Sequence, residues 1–243
     1  MKKLLFLLLL TAGCRTGYYP AAQQASRPVI DASVPTDSNM ARFLAPYRQR
    51  LDQTMNDVLA QSAVALDKKG PESPLTDLLA DAMLRQGRIR YGKPIDVAHL
   101  NFGGIRSGLP QGPIRVGNIY EIMPFDNQMT VLTLNGNLLM QMLNHFAREE
   151  ALVVSGVKVR LTNGKVTAAT LTDGRTVEPG QSYTVAVSDY VANGGSGASF
   201  LSGAAQREDT GINLRDLFLE YFRQLGQSGQ PFNPTTDGRI TIE

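Results

Sequence analysis

Two glycine-rich turns carry the residues best suited to hold an anion or a flat ring. The first, Asn101-Phe102-Gly103-Gly104-Ile105-Arg106, follows the apolar run Ile95 to Leu100. Gly103 and Gly104 let the backbone approach an oxyanion closely, and Arg106 offers parallel guanidinium donors, which suits phosphate. An ordinary tight turn whose arginine pairs with an internal carboxylate has the same sequence. The second turn, Tyr190 to Gly197, follows the strand-like run Tyr183 to Val187. Phe125 beside Asn127 and Tyr190 before Asn193 each set an aromatic ring near an amide. Such rings can stack on any base, while amides read its polar edge; either ring fits a core position equally well. Asp126 and Asp189 can meet sugar hydroxyls or cap their own turns, and capping is the reading favoured for Asp126. Neither turn ends in the Gly-Lys-Ser/Thr of a P-loop.

Other chemistries are poorly equipped. Metal-assisted hydrolysis needs several fixed ligands, and the chain has two histidines, His99 and His145, with no Asp-x-His, His-x-His or Asn-His pair. Each histidine reads as structural or superficial, and carboxylates alone remain as ligands, so the expectation is a chain without a metal site. No Gly-x-Ser-x-Gly elbow carries a serine nucleophile.

The elements that must position the turns follow from periodicity. Phe43, Tyr47, Leu51, Met55 and Val58 recur at helical spacing after Asn39, which predicts a helix to about Asp57 with one buried stripe. A small-residue strand is expected around Ser62 to Leu66, then a helix from Ser73 to Gln86 stopped by Gly87. Strands are expected over Ile95 to Leu100, Met129 to Leu134 and Tyr183 to Val187, with helices at Gly117 to Ile122, Asn137 to Phe146 and Asn213 to Leu225. Asn163-Gly164 and Asp173-Gly174 mark antiparallel hairpins, and Arg239 to Ile242 reads as a terminal strand. Helices mixed with hairpins make the fold class α+β, with mixed α/β layers.

The first residues read differently. Lys2 and Lys3, the Leu/Phe run Leu4 to Leu10 and the small residues before Cys14 have the layout of an export signal, too short for the ~20 residues that span a bilayer. The segment resembles a bacterial lipoprotein signal, cleaved after Gly13 and lipidated at Cys14, although Thr11 stands where that pattern usually has leucine. A secreted chain with a free cysteine is the other reading. The expected organisation is a signal over 1–13, a Pro- and Gly-containing tether over 14–38 and a folded domain over 39–243. The expected location is the cell envelope, lipid-anchored at the outer membrane and facing the periplasm. Cleavage removes two lysines from the 24 basic side chains and leaves them balanced against 22 acidic ones. A neutral chain without a basic cluster is a poor partner for polymeric nucleic acid.

Four ordered blocks, Glu72 to Met83, Asn101 to Arg106, Pro124 to Asn127 and Tyr190 to Gly197, resemble the C-terminal domain of the 5'-nucleotidase and UDP-sugar hydrolase family, from about Asn39 to the end. Carried over residue by residue, the resemblance implies that Arg106 meets the substrate phosphate, Asn127 the base, and Phe125 with Tyr190 its two faces. Asn101 and Gly104 would shape the phosphate corner. Lys69 falls near a family arginine that approaches phosphate, but offers a point charge in place of a fork. Ser196 stands where the family has an aspartate that resembles a ribose-binding group. The family's N-terminal metallophosphatase domain does not occur in this sequence, and that domain supplies the metal ligands and the catalytic histidine. The resemblance therefore implies a binding half that acts with a separately encoded metallophosphatase, with divalent metals on that partner and no catalytic residue here. A stand-alone nucleotide or nucleoside binder, a scaffold that binds nothing, and a hydrolase active by itself are the other readings.

Overall fold

The computed structural model describes residues 27–149 and 151–243. The expected signal, Cys14 and the first part of the tether lie outside the described residues. Helix α1 spans Ser38–Met55 and is followed by strand β1, Val58–Ser62. Its apolar stripe differs from expectation: Phe43, Tyr47 and Leu51 are 63%, 64% and 56% exposed, whereas Met55, at the end of the helix, packs on the core. Helical periodicity shows that a face is apolar without naming the surface it rests on.

Residues 46–243 form one compact unit. Within it, α2 (Pro74–Tyr91) is the best capped helix: the Ser73 hydroxyl accepts from the Thr76 amide, Thr76 Oγ1 accepts from the Ser73 amide, and Pro74 fills the first position. The expected stop at Gly87 does not occur. Gly87 is there for packing, since a Cβ would lie 3.0 Å from Met129 Sδ, and the helix ends instead at Gly92, in the left-handed region at φ 72°. Strand β2 (Val97–Leu100) leads into the turn Phe102–Gly104, then come β3 (Gly112–Arg115), α3 (Val116–Ile122), β4 (Gln128–Asn135) and α4 (Gly136–Glu149). Strands β5 (Val153–Ser155), β6 (Val157–Thr162) and β7 (Lys165–Leu171) follow, with the Asn163-Gly164 hairpin between the last two as expected. The Asp173-Gly174 turn yields only a single bridge, Thr170 to Thr176. Strand β8 (Ser182–Ser188) runs into the short helix α5 (Asp189–Ala192), and the chain ends with β9 (Gln206–Asn213), α6 (Leu214–Gly226) and β10 (Ile240–Ile242).

The described strands form a five-stranded sheet in the order β5-β2-β8-β4-β9, a three-stranded sheet β10-β6-β7 and a β1-β3 pair. Alternation along the central strands feeds two cores. Ala98, Met129, Val131 and Ala186 face a cluster built with α2, α3 and α6, whereas Val97, Leu132, Leu134, Val185 and Val187 face one built with α4 and the β6-β7 hairpin. Phe218, Phe222 and Tyr183 are essentially inaccessible. Each such ring contributes on the order of 2 to 3 kcal/mol relative to exposure. The class is the expected mixed α+β fold with antiparallel hairpins. Among the described residues no helix is long and apolar enough to cross a membrane.

Candidate functional site

Topology brings the distinctive loops to one edge of the central sheet. Strands β2 and β8 are parallel neighbours, so the turn after Leu100 and the turn after Ser188 emerge side by side. Strand β4 is antiparallel to β8, with Met129 opposite Ser188, so the Pro124 to Asn127 segment enters from the same edge. Loops at such an edge are where a sheet exposes ligand-binding groups.

A cavity of about 350 Å³ opens there. The first turn gives it Asn101, Gly103, Gly104 and Arg106, the second Phe125 and Asn127, and the third Tyr190 and Ser196. Of the residues that the family resemblance assigned to the site, only Lys69 is not brought to it; Asn193, Asp126 and Asp189 do not line it either. The Lys69 side chain is exposed and paired with Asp67 at 2.9 Å, and its neighbour Lys68 points to the turn instead, donating to the Phe102 carbonyl at 3.1 Å over the Phe102 ring. The volume falls in the range of about 300 to 1,000 Å³ usual for small-ligand sites. A larger cavity of about 460 Å³ lies beside Arg207, but that guanidinium is already engaged by Asp209.

Local packing explains the loop residues. An ideal Cβ on Gly104 would lie 2.9 Å from the Asn101 amide, so glycine is what lets that side chain fold over the turn. Arg106 is exposed; its Nη1 touches the Gly103 carbonyl at 3.1 Å, and it is the only charged residue of the lining. Phe125 and Tyr190 are 42% and 48% exposed, which places neither ring in the core. An ideal Cβ on Gly195 would come within 2.5 Å of Tyr190 ring carbons, so the third turn also needs glycine where it passes the ring.

Two residues that sequence reasoning did not assign to the site hold these loops. Arg215, in the first turn of α6, is buried; its guanidinium donates to the carbonyls of Met123 at 2.9 Å and Phe125 at 2.8 Å and to Asp126 at 3.0 Å, and lies over the Tyr120 ring. Asp126 is thus an ion-pair partner, where turn capping was expected. His145, on α4, meets the Ser196 carbonyl through Nε2 at 2.7 Å; with a carbonyl opposite, that nitrogen carries the proton. Ser196 sits at φ 51°, a conformation rare for a residue with a side chain, and its amide donates to the Tyr190 hydroxyl at 3.2 Å. His145 and Tyr190 therefore pin a strained loop from both sides. The other histidine is structural: His99 is fully buried, with Nδ1 3.1 Å from the Val153 carbonyl, and burial pushes its pKa down to about 3. Asp189 accepts its successor's amide at 2.8 Å and so serves its own turn.

The expectation that the chain lacks a metal site is corrected. Glu72, Asp77 and Asp237 bring carboxylate oxygens within 4.8 Å of one another, a group that could hold a metal ion. Burial, partly offset by Arg239 and reinforced by the Glu72 carboxylate, pushes Asp77 up to about 8. The sequence hid this group because Asp237 lies far along the chain from the other two. The cavity itself offers amides, hydroxyls, two rings and a guanidinium, a set suited to a neutral ring with an attached anion and poorly suited to a cation.

Comparison with known proteins gives the family. The sequence pattern described as "5'-nucleotidase, C-terminal domain" matches residues 53–203. The chain is 27% identical over 236 residues to the trifunctional nucleotide phosphoesterase protein YfkN of Bacillus subtilis, covering 87% of this chain and 16% of that one. It is 25% identical over 224 residues to the endonuclease YhcR of the same organism, covering 88% and 18%. The crystal structure of a 5'-nucleotidase precursor from Thermus thermophilus superposes with a TM-score of 0.73 at 28% identity, over 86% of this chain and 44% of that one. The chain thus spans less than half the length of these relatives, and it belongs to the family of 5'-nucleotidase C-terminal domains.

Proposed function

We propose that the chain is the nucleotide-recognition component of an envelope 5'-nucleotidase or related phosphoesterase, acting with a separately encoded metallophosphatase chain. The observation that carries this reading is the convergence of Arg106, two exposed rings and the Asn127 amide on one cavity from three separate loops. Phe125 and Tyr190 hold a base between them, Asn127 reads its edge, and Arg106 with the Asn101-Gly104 turn receives the phosphate. Ser196 lies beside Tyr190 and offers a hydroxyl to the sugar. Binding energy gathered on base and sugar then orients the phosphate toward catalytic groups on the other chain. The multidomain phosphoesterases among its relatives support the coupling to a catalytic part. Equilibrium titration of the purified protein with AMP and adenosine tests the reading: saturable binding of both is expected, and no binding of either at millimolar ligand overturns it.

The reading includes an address. Cys14 after the apolar run Leu4 to Leu10 carries lipid and ties the domain to the envelope, at the outer membrane facing the periplasm. A Cys14→Ser protein that is still exported should move from the membrane fraction to the soluble envelope fraction. Unchanged detergent partitioning of that variant contradicts the anchor.

A further inference from the structure

We propose that Glu72, Asp77 and Asp237 form a binding site for a calcium-like divalent cation, which clasps the segment leading into β10 to the start of α2. Glu72 immediately precedes the Ser73 cap, Asp77 lies in the first turn of α2, and Asp237 comes just before β10. Two of the three side chains are held in place by other contacts. The Glu72 carboxylate accepts the backbone amides of Gly238 at 3.0 Å and Ile240 at 2.9 Å, and Asp237 accepts the Arg239 amide at 3.1 Å.

Arg239 does not complete the charge balance. Its guanidinium is spent on Asp81 at 2.8 and 3.0 Å, on Asp237 at 3.0 and 3.2 Å and on the Val154 carbonyl at 2.9 Å. It comes no closer than 3.5 Å to Asp77 Oδ1. Asp77 is 6% exposed, and its second oxygen, Oδ2, is buried with no hydrogen-bond partner. Three carboxylates, Asp77, Asp81 and Asp237, thus share one guanidinium, with Glu72 beside them, and a buried carboxylate oxygen without a donor is costly. The orphan oxygen belongs to a cluster of other carboxylates, which accept and do not donate. A cation, a proton taken up by the cluster or a water entering past Asp237 can satisfy it, and of these the cation also offsets the excess of negative charge.

The oxygens lie within 4.8 Å of one another, close enough to share one ion. Calcium accepts uneven oxygen shells filled out by water, whereas magnesium demands near-ideal octahedral geometry, so carboxylates held by other contacts suit calcium better. An all-oxygen set without histidine or cysteine suits a hard ion and not zinc or copper. The Asp237 side chain is 52% exposed, which leaves an entry path and room for the waters that fill a calcium shell. The residues are disjoint from those of the cavity, so this site stands or falls independently of nucleotide binding.

Calorimetric titration of chelator-stripped protein with CaCl₂, paired with thermal unfolding, tests it. The expected result is one calcium per chain, a raised Tm and a weaker response to MgCl₂. Asp77→Asn and Asp237→Asn should each weaken calcium at least about tenfold in folded protein. Should Asp77→Asn fail to fold, the half-exposed Asp237→Asn decides. Absence of calcium heat in the wild type, including a wild type that takes up a proton and ignores calcium, overturns the proposal, as does calcium binding that survives the Asp237 change.

Discussion

Phe125 and Tyr190 are the residues whose roles rest on the smallest detail. Large rings left 42% and 48% exposed in loops that meet at a cavity are open to a ligand, and the proposed function assigns them the two faces of a base. Replacing either by leucine keeps most apolar volume and should leave the far-ultraviolet spectrum nearly unchanged while weakening adenosine by roughly 1 to 3 kcal/mol; Tm should hold for Phe125→Leu and fall slightly for Tyr190→Leu, which loses the hydroxyl that accepts the Ser196 amide. On the proposed reading both rings hold one base, so the double change should cost less than the two single changes together. Additive losses in calorimetry would place the rings on separate subsites. At this scale residue type was legible and direction was not. Lys68 and Lys69 are adjacent and chemically identical, yet only the first reaches the Phe102 turn, because side chains one apart in a loop point to different sides. The carboxylate cluster at Asp77 was invisible for a related reason: its members converge only when the end of the chain returns to α2.

Among the elements, the strand-turn junctions after β2 and β8 were readable as apolar runs emptying into glycine, and the parallel pairing of those strands is what makes them one site. The late helix was readable from its Asn213 cap and its apolar period. What α6 does for the site was not, since Arg215 acts through backbone carbonyls of residues 123 and 125, which carry no sequence signature. Arg215→Ala should lower stability by about 1 to 3 kcal/mol by orphaning buried acceptors, and should weaken nucleoside binding as the Phe125 loop loosens. Arg215→Lys should recover only part of either, because an ammonium cannot span three acceptors in a plane. Denaturant titration and adenosine calorimetry on both variants check this; full binding by Arg215→Ala would remove it from the positioning of Phe125. Strand β9 escaped notice because Gln206 to Asn213 is a charged, exposed edge without apolar alternation, the composition that protects a sheet edge from further pairing. Helix α1 shows the converse, a clear period whose stripe is not buried.

For the molecule as a whole, stability rests on two cores that share the central sheet, and His99 lies buried in β2 of that sheet against Phe146. Its folded pKa of about 3 lies below the ordinary 6.5, so the unfolded chain binds the proton first as pH falls. The contribution is complete above pH 6.5 and is lost between there and about 3. Relative to His99→Gln, wild-type stability should drop by roughly 2 kcal/mol between pH 7 and pH 5. Parallel urea curves for the two proteins over that range would show His99 to be exposed on its titration timescale. The fold class was legible because hairpin turns and helical periods are local, whereas the assembly of a cavity from three loops depends on strand order, which no local pattern encodes. The central claim is that one cavity binds base and phosphate at opposite ends, and a crossed titration tests it most directly. AMP and adenosine are titrated into wild type, Arg106→Ala and Tyr190→Leu. Arg106→Ala should abolish the advantage of AMP over adenosine and leave adenosine nearly intact, while Tyr190→Leu should weaken both ligands by the same factor. Equal losses of AMP and adenosine on removing Arg106, with adenosine unaffected by Tyr190→Leu, would contradict it.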